Sequence, residues 1–260
     1  MRVAVAGGTG VVGRHTVAAV EAAGHDAVVL SRSTGVDVLT GAGVAAALAG
    51  CAAVVDVTSV QTTSGRVSRE FFGTATRTLL AAEREAGVPH HVALSIVGAV
   101  EAPSAYYAGK ALQERLVRES GTGWSILRAT QFHEFAAQLV GERERRLHFV
   151  PAMRSQPVAA AEVGEELAAI ATGGPRGLDR DLGGPLAEDM PDLVRRYLAA
   201  TERRGRAIAI PLPGRWGRAL RDGTLLPGPE ACRGRQTFAE WLTARTSRDE
   251  RSATATERDD

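Results

Sequence analysis

Cysteine, aromatic residues and unbalanced charge are all scarce in this sequence, and each shortage removes a class of protein. The two cysteines, Cys51 and Cys232, have no motif spacing and are too few for a disulfide framework. A reducing cytoplasm is therefore the expected compartment, each cysteine reads as a small buried apolar residue, and no metal site is expected. Acids and bases nearly cancel, 30 against 31, so no global field draws the chain to nucleic acid or to a membrane surface. Aromatic residues make up 5%, and neither Trp216 nor Trp241 stands in a basic-aromatic repeat, so both read as cover for the core. No apolar run is long enough to span a bilayer, and Met1-Arg2 leads straight into a strand whose apolar run stops after Ala6, unlike a signal peptide.

What is present starts at once. The run Val3-Ala4-Val5-Ala6 ends in Gly7-Gly8-Thr9-Gly10 and continues through Val11-Val12-Gly13 into an Ala/Val-rich helix ending near Ala23. Strand, glycine turn and helix in that order form a phosphate-binding unit. Gly7 and Gly10 allow a tight turn and close approach to a pyrophosphate, and Gly13 lets helix and sheet touch. Thr9, Val11 and Val12 belong to the same loop, and the helix start aims its amides at the phosphates. The spacing Gly7-x-x-Gly10-x-x-Gly13 is one residue wider between its first two glycines than the ordinary dinucleotide fingerprint.

Ala27–Leu30 completes a βαβ unit. An acid near the end of this strand would accept ribose hydroxyls, but the strand runs into Ser31-Arg32-Ser33 instead. Arg32 can pair with a 2′-phosphate and Ser31 can donate to it, which favours NADP over NAD. A short Gly35-Val36-Asp37-Val38 piece, counted as a strand, adds Asp37 and Val38 to the cofactor residues. Asp37 could accept from an adenine amino group or serve as a turn residue. The run Ala53–Ser59 reads as a strand buried on both faces, with Thr58 and Ser59 at its ligand-side end. A helix over 67–86 leads to His91–Ile96, taken as the fifth strand with Ser95 near its end, and Trp124–Arg128 is the sixth.

The expected fold is thus a Rossmann-type doubly wound parallel sheet with a smaller irregular C-terminal substrate-side region. Residues 1–245 read as one domain with substrate-side insertions mainly in 129–245. Residues 246–260 read as a disordered tail.

Between the last two strands, Tyr106 and Lys110 stand one helical turn apart, so the ammonium can lower the phenol's pKa and also reach a ribose. Such a phenol supplies the proton that a carbonyl oxygen needs after hydride transfer, while Ser95 hydrogen-bonds that oxygen. Tyr107 rivals Tyr106 because three residues from Lys110 is the same helix face. Phe132 and His133, just after the last strand, could line a substrate pocket, although a lone helix histidine is more often hydrogen-bonded structure.

Gly7-x-x-Gly10-x-x-Gly13, Ser95 and Tyr106-x-x-x-Lys110 together resemble the short-chain dehydrogenase/reductase superfamily. The glycine spacing with the Arg32 strand end resembles its atypical, NmrA-like branch. The resemblance covers residues 1 to about 165 and also touches Thr130–Phe135, Gln156-Pro157-Val158 and Thr237–Leu242. It implies an NADP-binding fold and reduction of a small hydrophobic carbonyl, enone or quinone-like substrate by hydride transfer. Two other readings stay open: a non-catalytic NADP-binding regulator, and a cofactor-retaining isomerase or cyclase. A small molecule is the expected partner, with homo-oligomer formation left open.

Overall fold

The computed structural model describes residues 1–256, with side chains described through Ser247. Contacts divide these residues into two compact units. One comprises 1–129, 160–182 and 228–232; the other comprises 130–159, 183–227 and 233 onward.

The first unit is built on strands β1 (Arg2–Ala6), β2 (Asp26–Leu30), β3 (Cys51–Asp56), β4 (His90–Ile96) and β5 (Gly123–Ala129). They pair in the order β5-β4-β3-β1-β2, all parallel. Two-residue pieces at Gly177–Leu178, Leu182–Gly183 and Cys232–Arg233 extend the β5 side. Val3 to Ala6 and Ala53 to Val55 have no exposed surface, as central parallel strands covered on both faces require.

Helices α1 (Val11–Ala22), α2 (Val44–Leu48), α3 (Gly65–Ala86), α4 (Tyr106–Arg118) and α6 (Ala160–Gly173) cover the sheet; α5 lies in the other unit. The chain leaves β1 toward β2 on one side and β3 toward β4 on the other. With right-handed crossovers, α1 and α3 therefore take opposite faces. Helix α6 packs on α1, and α4 packs on α3. The unit is a Rossmann-type doubly wound sheet, and its order reverses between β1 and β3, where such sheets open a ligand crevice.

Several boundaries differ from the sequence reading. Gly35–Val38 forms no strand: Asp37 turns back to accept the Leu39 amide at 2.8 Å, and Gly41 N–H bonds to its carbonyl. The sheet therefore ends at β2, and His90–Ile96 is its fourth strand. Strand β3 stops at Asp56, which leaves Thr58 and Ser59 in the loop beyond it.

The second unit contains α5 (Glu134–Val140), β6 (Leu147–Pro151), α7 (Met190–Ala200), α8 (Gly214–Arg221) and α9 (Phe238–Thr256). Strand β6 pairs in parallel with Arg206–Ile210. Helix α9 continues to Thr256 through most of the stretch read as a disordered tail, and 257–260 lie outside the described residues.

Candidate cofactor site

The crevice is lined first by the glycine loop. Gly7 has φ +81°, and a Cβ there would lie 3.0 Å from the Val57 carbonyl oxygen and 3.1 Å from the Thr58 nitrogen. A Cβ on Gly13 would come within 2.1 Å of the Gly7 carbonyl oxygen, so helix α1 could not close on the loop with any larger residue. Arg14 N–H bonds to the Gly10 carbonyl, and the three amides before it have no intrahelical acceptor. Thr9 and Gly10 are exposed while the Val12 side chain is buried, so Val12 can offer a ligand only its backbone. This is the geometry for a pyrophosphate at a helix start.

After β2, Ser31 opens a single 3-10 turn, Arg32–Thr34. Thr34 ties that turn down by donating to the Val29 and Ser31 carbonyls, while the Ser31 and Ser33 hydroxyls pair at 2.8 Å. Arg32 is exposed, and its guanidinium has no hydrogen bond or ion pair among the described residues. Asp37 serves its own turn, and Val38 packs on the core formed by β1, β2 and β3.

On the other side of the switch point, Asp56 is fully buried at the end of β3. Its Oδ1 accepts from both the Thr58 amide (2.9 Å) and the Thr58 hydroxyl (2.6 Å). The next residue, Ser59, is exposed, and its hydroxyl lies 3.2 Å from the Tyr106 phenol. Tyr106 is the first residue of α4, behind Ala105, whose φ of +51° is a left-handed value rare for a residue with a side chain. The Ser68 hydroxyl of α3 holds the Tyr106 carbonyl at 2.7 Å.

The structure does not give Tyr106 a depressed pKa. Burial pushes the phenol up to about 12, with the Ser59 hydrogen bond pulling the other way and the Asp56 charge adding to the rise. Lys110 does not contribute, because its ammonium turns inward. There it donates to the Leu94 carbonyl (2.7 Å) and the Gln113 carbonyl oxygen (2.9 Å) and sits 4.2 Å from the centre of the Phe72 ring. Burial lowers its pKa to about 8 against the pull of Asp56 and Glu114. The expectation that Lys110 acidifies Tyr106 is corrected accordingly. Tyr107 is buried beside Tyr106, with ring centroids 6.4 Å apart.

Ser95 also has a partner the sequence did not suggest. Its hydroxyl donates to Glu114 Oε1 at 2.7 Å, and Arg128, its register partner on β5, grips the same carboxylate with two hydrogen bonds of 2.8 and 2.7 Å. Burial would raise the Glu114 pKa. The Arg128 and Ser95 hydrogen bonds and the charges of Arg128 and Arg118 outweigh it and hold the carboxyl below its ordinary value.

In the second unit, His133 is buried with Nε2 at 3.0 Å from the Gln236 carbonyl and its ring against Phe238 and Trp241. Phe132 bridges to Val158, so two of the segments that the family resemblance touches pair with each other. Both residues have structural partners there.

Asp56, Gln113, Glu114 and Arg128 were missed as contributors to the site. Only Asp56 carried a signal, being an acid inside an otherwise apolar run. Among the described residues no cluster of His, Cys, Asp and Glu could hold a metal ion, and no helix is long and apolar enough to cross a membrane.

A glycine loop at a sheet reversal, with its helix start open, defines a dinucleotide-binding protein. The profile of the NAD(P)H-binding family matches residues 7–172, well over half of the sequence, and the chain belongs to that family. No curated protein matches significantly. Among solved structures, the chain is similar to MoeE5 in complex with UDP-glucose and NAD, at 17% identity and a TM-score of 0.72 over 97% of this chain and 100% of that one. It is also similar to the NADPH-dependent quinone oxidoreductase QOR2 of Escherichia coli, at 16% identity and 0.69 over 93% and 99%. A third similar structure is a short-chain dehydrogenase/reductase superfamily protein from Agrobacterium tumefaciens with bound NAD, at 19% and 0.68 over 99% and 100%. The resemblance read from the glycine loop and the Tyr106-x-x-x-Lys110 spacing is borne out at the level of family and fold.

Proposed function

We propose that the protein is an NADPH-dependent reductase of a small hydrophobic carbonyl, enone or quinone-like compound. The observation that carries this reading is the Ser59–Tyr106 hydroxyl pair at the ligand end of the sheet, next to the glycine loop. NADPH supplies the hydride. The glycine loop and the amides at the start of α1 hold its pyrophosphate, and Arg32 with Ser31 meets the 2′-phosphate, since that guanidinium has no other partner among the described residues. Tyr106, protonated throughout the physiological range because its pKa is pushed up to about 12, donates its proton to the oxygen that gains charge as hydride arrives. Ser59 hydrogen-bonds the same oxygen and takes the role first given to Ser95, whose hydroxyl is committed to Glu114. The quinone reductase among the structurally similar proteins agrees with this substrate class.

One observation favours the second reading, a non-catalytic NADP-binding regulator: Lys110 and Ser95, two of the three residues expected to do chemistry, are both turned to internal partners. Mixing the protein with NADPH and a panel of quinones, enones and ketones tests the choice. Oxidation of NADPH by at least one compound, lost in Tyr106→Phe, supports the reductase. Tight NADPH binding with no oxidation across the panel moves the assignment to the regulator.

A further inference from the structure

The sequence contains a single lysine, Lys110, against thirty arginines, and it is almost completely buried. An ammonium has only donors, so the Gln113 side chain that meets it must present its carbonyl oxygen. That choice turns the Gln113 amide nitrogen the other way, to Asp56 Oδ2 at 2.8 Å. Asp56 then has its second oxygen for Thr58, whose amide and hydroxyl both donate to it. A continuous chain of hydrogen bonds thus runs from the Leu94 carbonyl on β4 through Lys110, Gln113 and Asp56 to the loop after β3.

That loop has two neighbours at the crevice. Its Val57–Thr58 backbone crowds the place a Cβ at Gly7 would take, and Val57 N–H bonds to the Ala6 carbonyl. One residue later Ser59 meets Tyr106. A shift of the loop by a few tenths of an ångström therefore changes both the shape of the glycine turn and the distance between the two hydroxyls. Interiors packed this closely pass such shifts on.

We propose that Gln113 and Asp56 are positioning residues for the nicotinamide nucleotide: through Lys110 on one side and Thr58 on the other, they set the loop that walls the glycine turn and carries Ser59. The proposal rests on the reading that the cofactor lies along that turn. The charged and titratable groups facing the chain are Glu114 on α4, His91 on β4 and Tyr106. Arg128 keeps Glu114 ionised, Glu83 raises the His91 pKa against the effect of burial, and Tyr106 keeps its proton to about 12. His91 and Lys110 both feel the Asp56 charge, and Lys110 itself titrates at about 8, so the wild type is followed over the same pH range as the variants.

The test uses two variants of the full chain, with NADP⁺ and NAD⁺ titrated calorimetrically and hydrogen exchange followed at the Thr58 amide. Gln113→Met keeps length and loses both polar contacts. It is expected to weaken both nucleotides together by about tenfold and to speed Thr58 exchange by a similar factor, the size of one buried hydrogen bond to a charged group. Gln113→Glu can still donate to Asp56 while protonated but repels it once ionised. Its nucleotide affinity is expected to be near that of the wild type at about pH 5 and to fall roughly tenfold by about pH 8, a dependence that a purely structural role would not create. Wild-type affinity and unchanged Thr58 exchange in Gln113→Met, or a flat pH profile in Gln113→Glu, would overturn the proposal. If the wild type bound neither nucleotide, the cofactor reading would fall. The Thr58 exchange rates would still decide whether the hydrogen-bond chain sets the loop.

Discussion

The hydroxyls of Ser59 and Tyr106 lie 3.2 Å apart, joining the loop after β3 to the first residue of α4. The serine expected to serve Tyr106 was Ser95, but its hydroxyl faces Glu114. The two serines should therefore separate in experiment. Ser59→Ala is expected to lower kcat on any accepted carbonyl by about 10²-fold and to leave stability within roughly 0.5 kcal/mol, because the residue is exposed. Ser95→Ala is expected to keep kcat and to lose about 1.5–3 kcal/mol of stability, the contribution of a hydrogen bond to a charged group. Steady-state kinetics and urea unfolding of the two variants check this.

Arg32 stands exposed on the turn after β2. Arg32→Ala is expected to weaken NADPH by about tenfold more than NADH, since only NADPH brings a phosphate for the guanidinium to grip. Fluorescence titration of both nucleotides measures the ratio. Equal losses would remove Arg32 from the 2′-phosphate.

Lys110 permits a direct measurement, because protein grown with labelled lysine shows one side-chain amine. That resonance is expected to titrate at about 8, well below the ordinary 10.5. Between these values the folded chain has lost a proton that the unfolded chain keeps. Stability therefore rises with pH there, by about 1.4 kcal/mol per pH unit from this group. Lys110→Met should lack that slope in urea unfolding across the same window.

Glu114 is also shifted below its ordinary value, so its slope has the same sign but falls in the acid range. Its folded pKa lies below the ordinary 4.5, so its stabilisation is complete above that value and is lost as the pH falls through the lower folded value. Arg128→Met strands the buried carboxylate and is expected to cost about 3–5 kcal/mol near neutral pH. Because the stranded carboxyl can then take up a proton, the stability deficit of Arg128→Met in urea unfolding should shrink as the pH is lowered from neutral.

The glycine loop was legible to the residue because backbone needs dictate it: a Cβ at 13 meets the Gly7 carbonyl, and no other part of the chain has to be known. Strand and helix alternation was legible for the same reason, from apolar periodicity. Gly35–Val38 was misread as a strand because four residues carry too little pattern to outweigh a turn made by Asp37 with its own backbone. The Tyr106–Lys110 spacing correctly put both on one helix, but it could not say which way a four-carbon stem would turn. That choice belongs to the Leu94 carbonyl and Gln113. The Ser95–Glu114–Arg128 cluster joins three elements far apart in sequence, so only the folded chain displays it. His133 is likewise explained by packing against Phe238 and Trp241, a hundred residues away.

The most direct test of the central claim is the fate of deuterium carried at both positions on C4 of NADPH, followed in the reaction with an accepted carbonyl. The account predicts that one deuterium leaves the cofactor as the hydride and appears on carbon in the reduced product, with one NADP⁺ formed per product. Product formed while the label and NADPH are both retained would contradict it and identify a cofactor-retaining isomerase or cyclase.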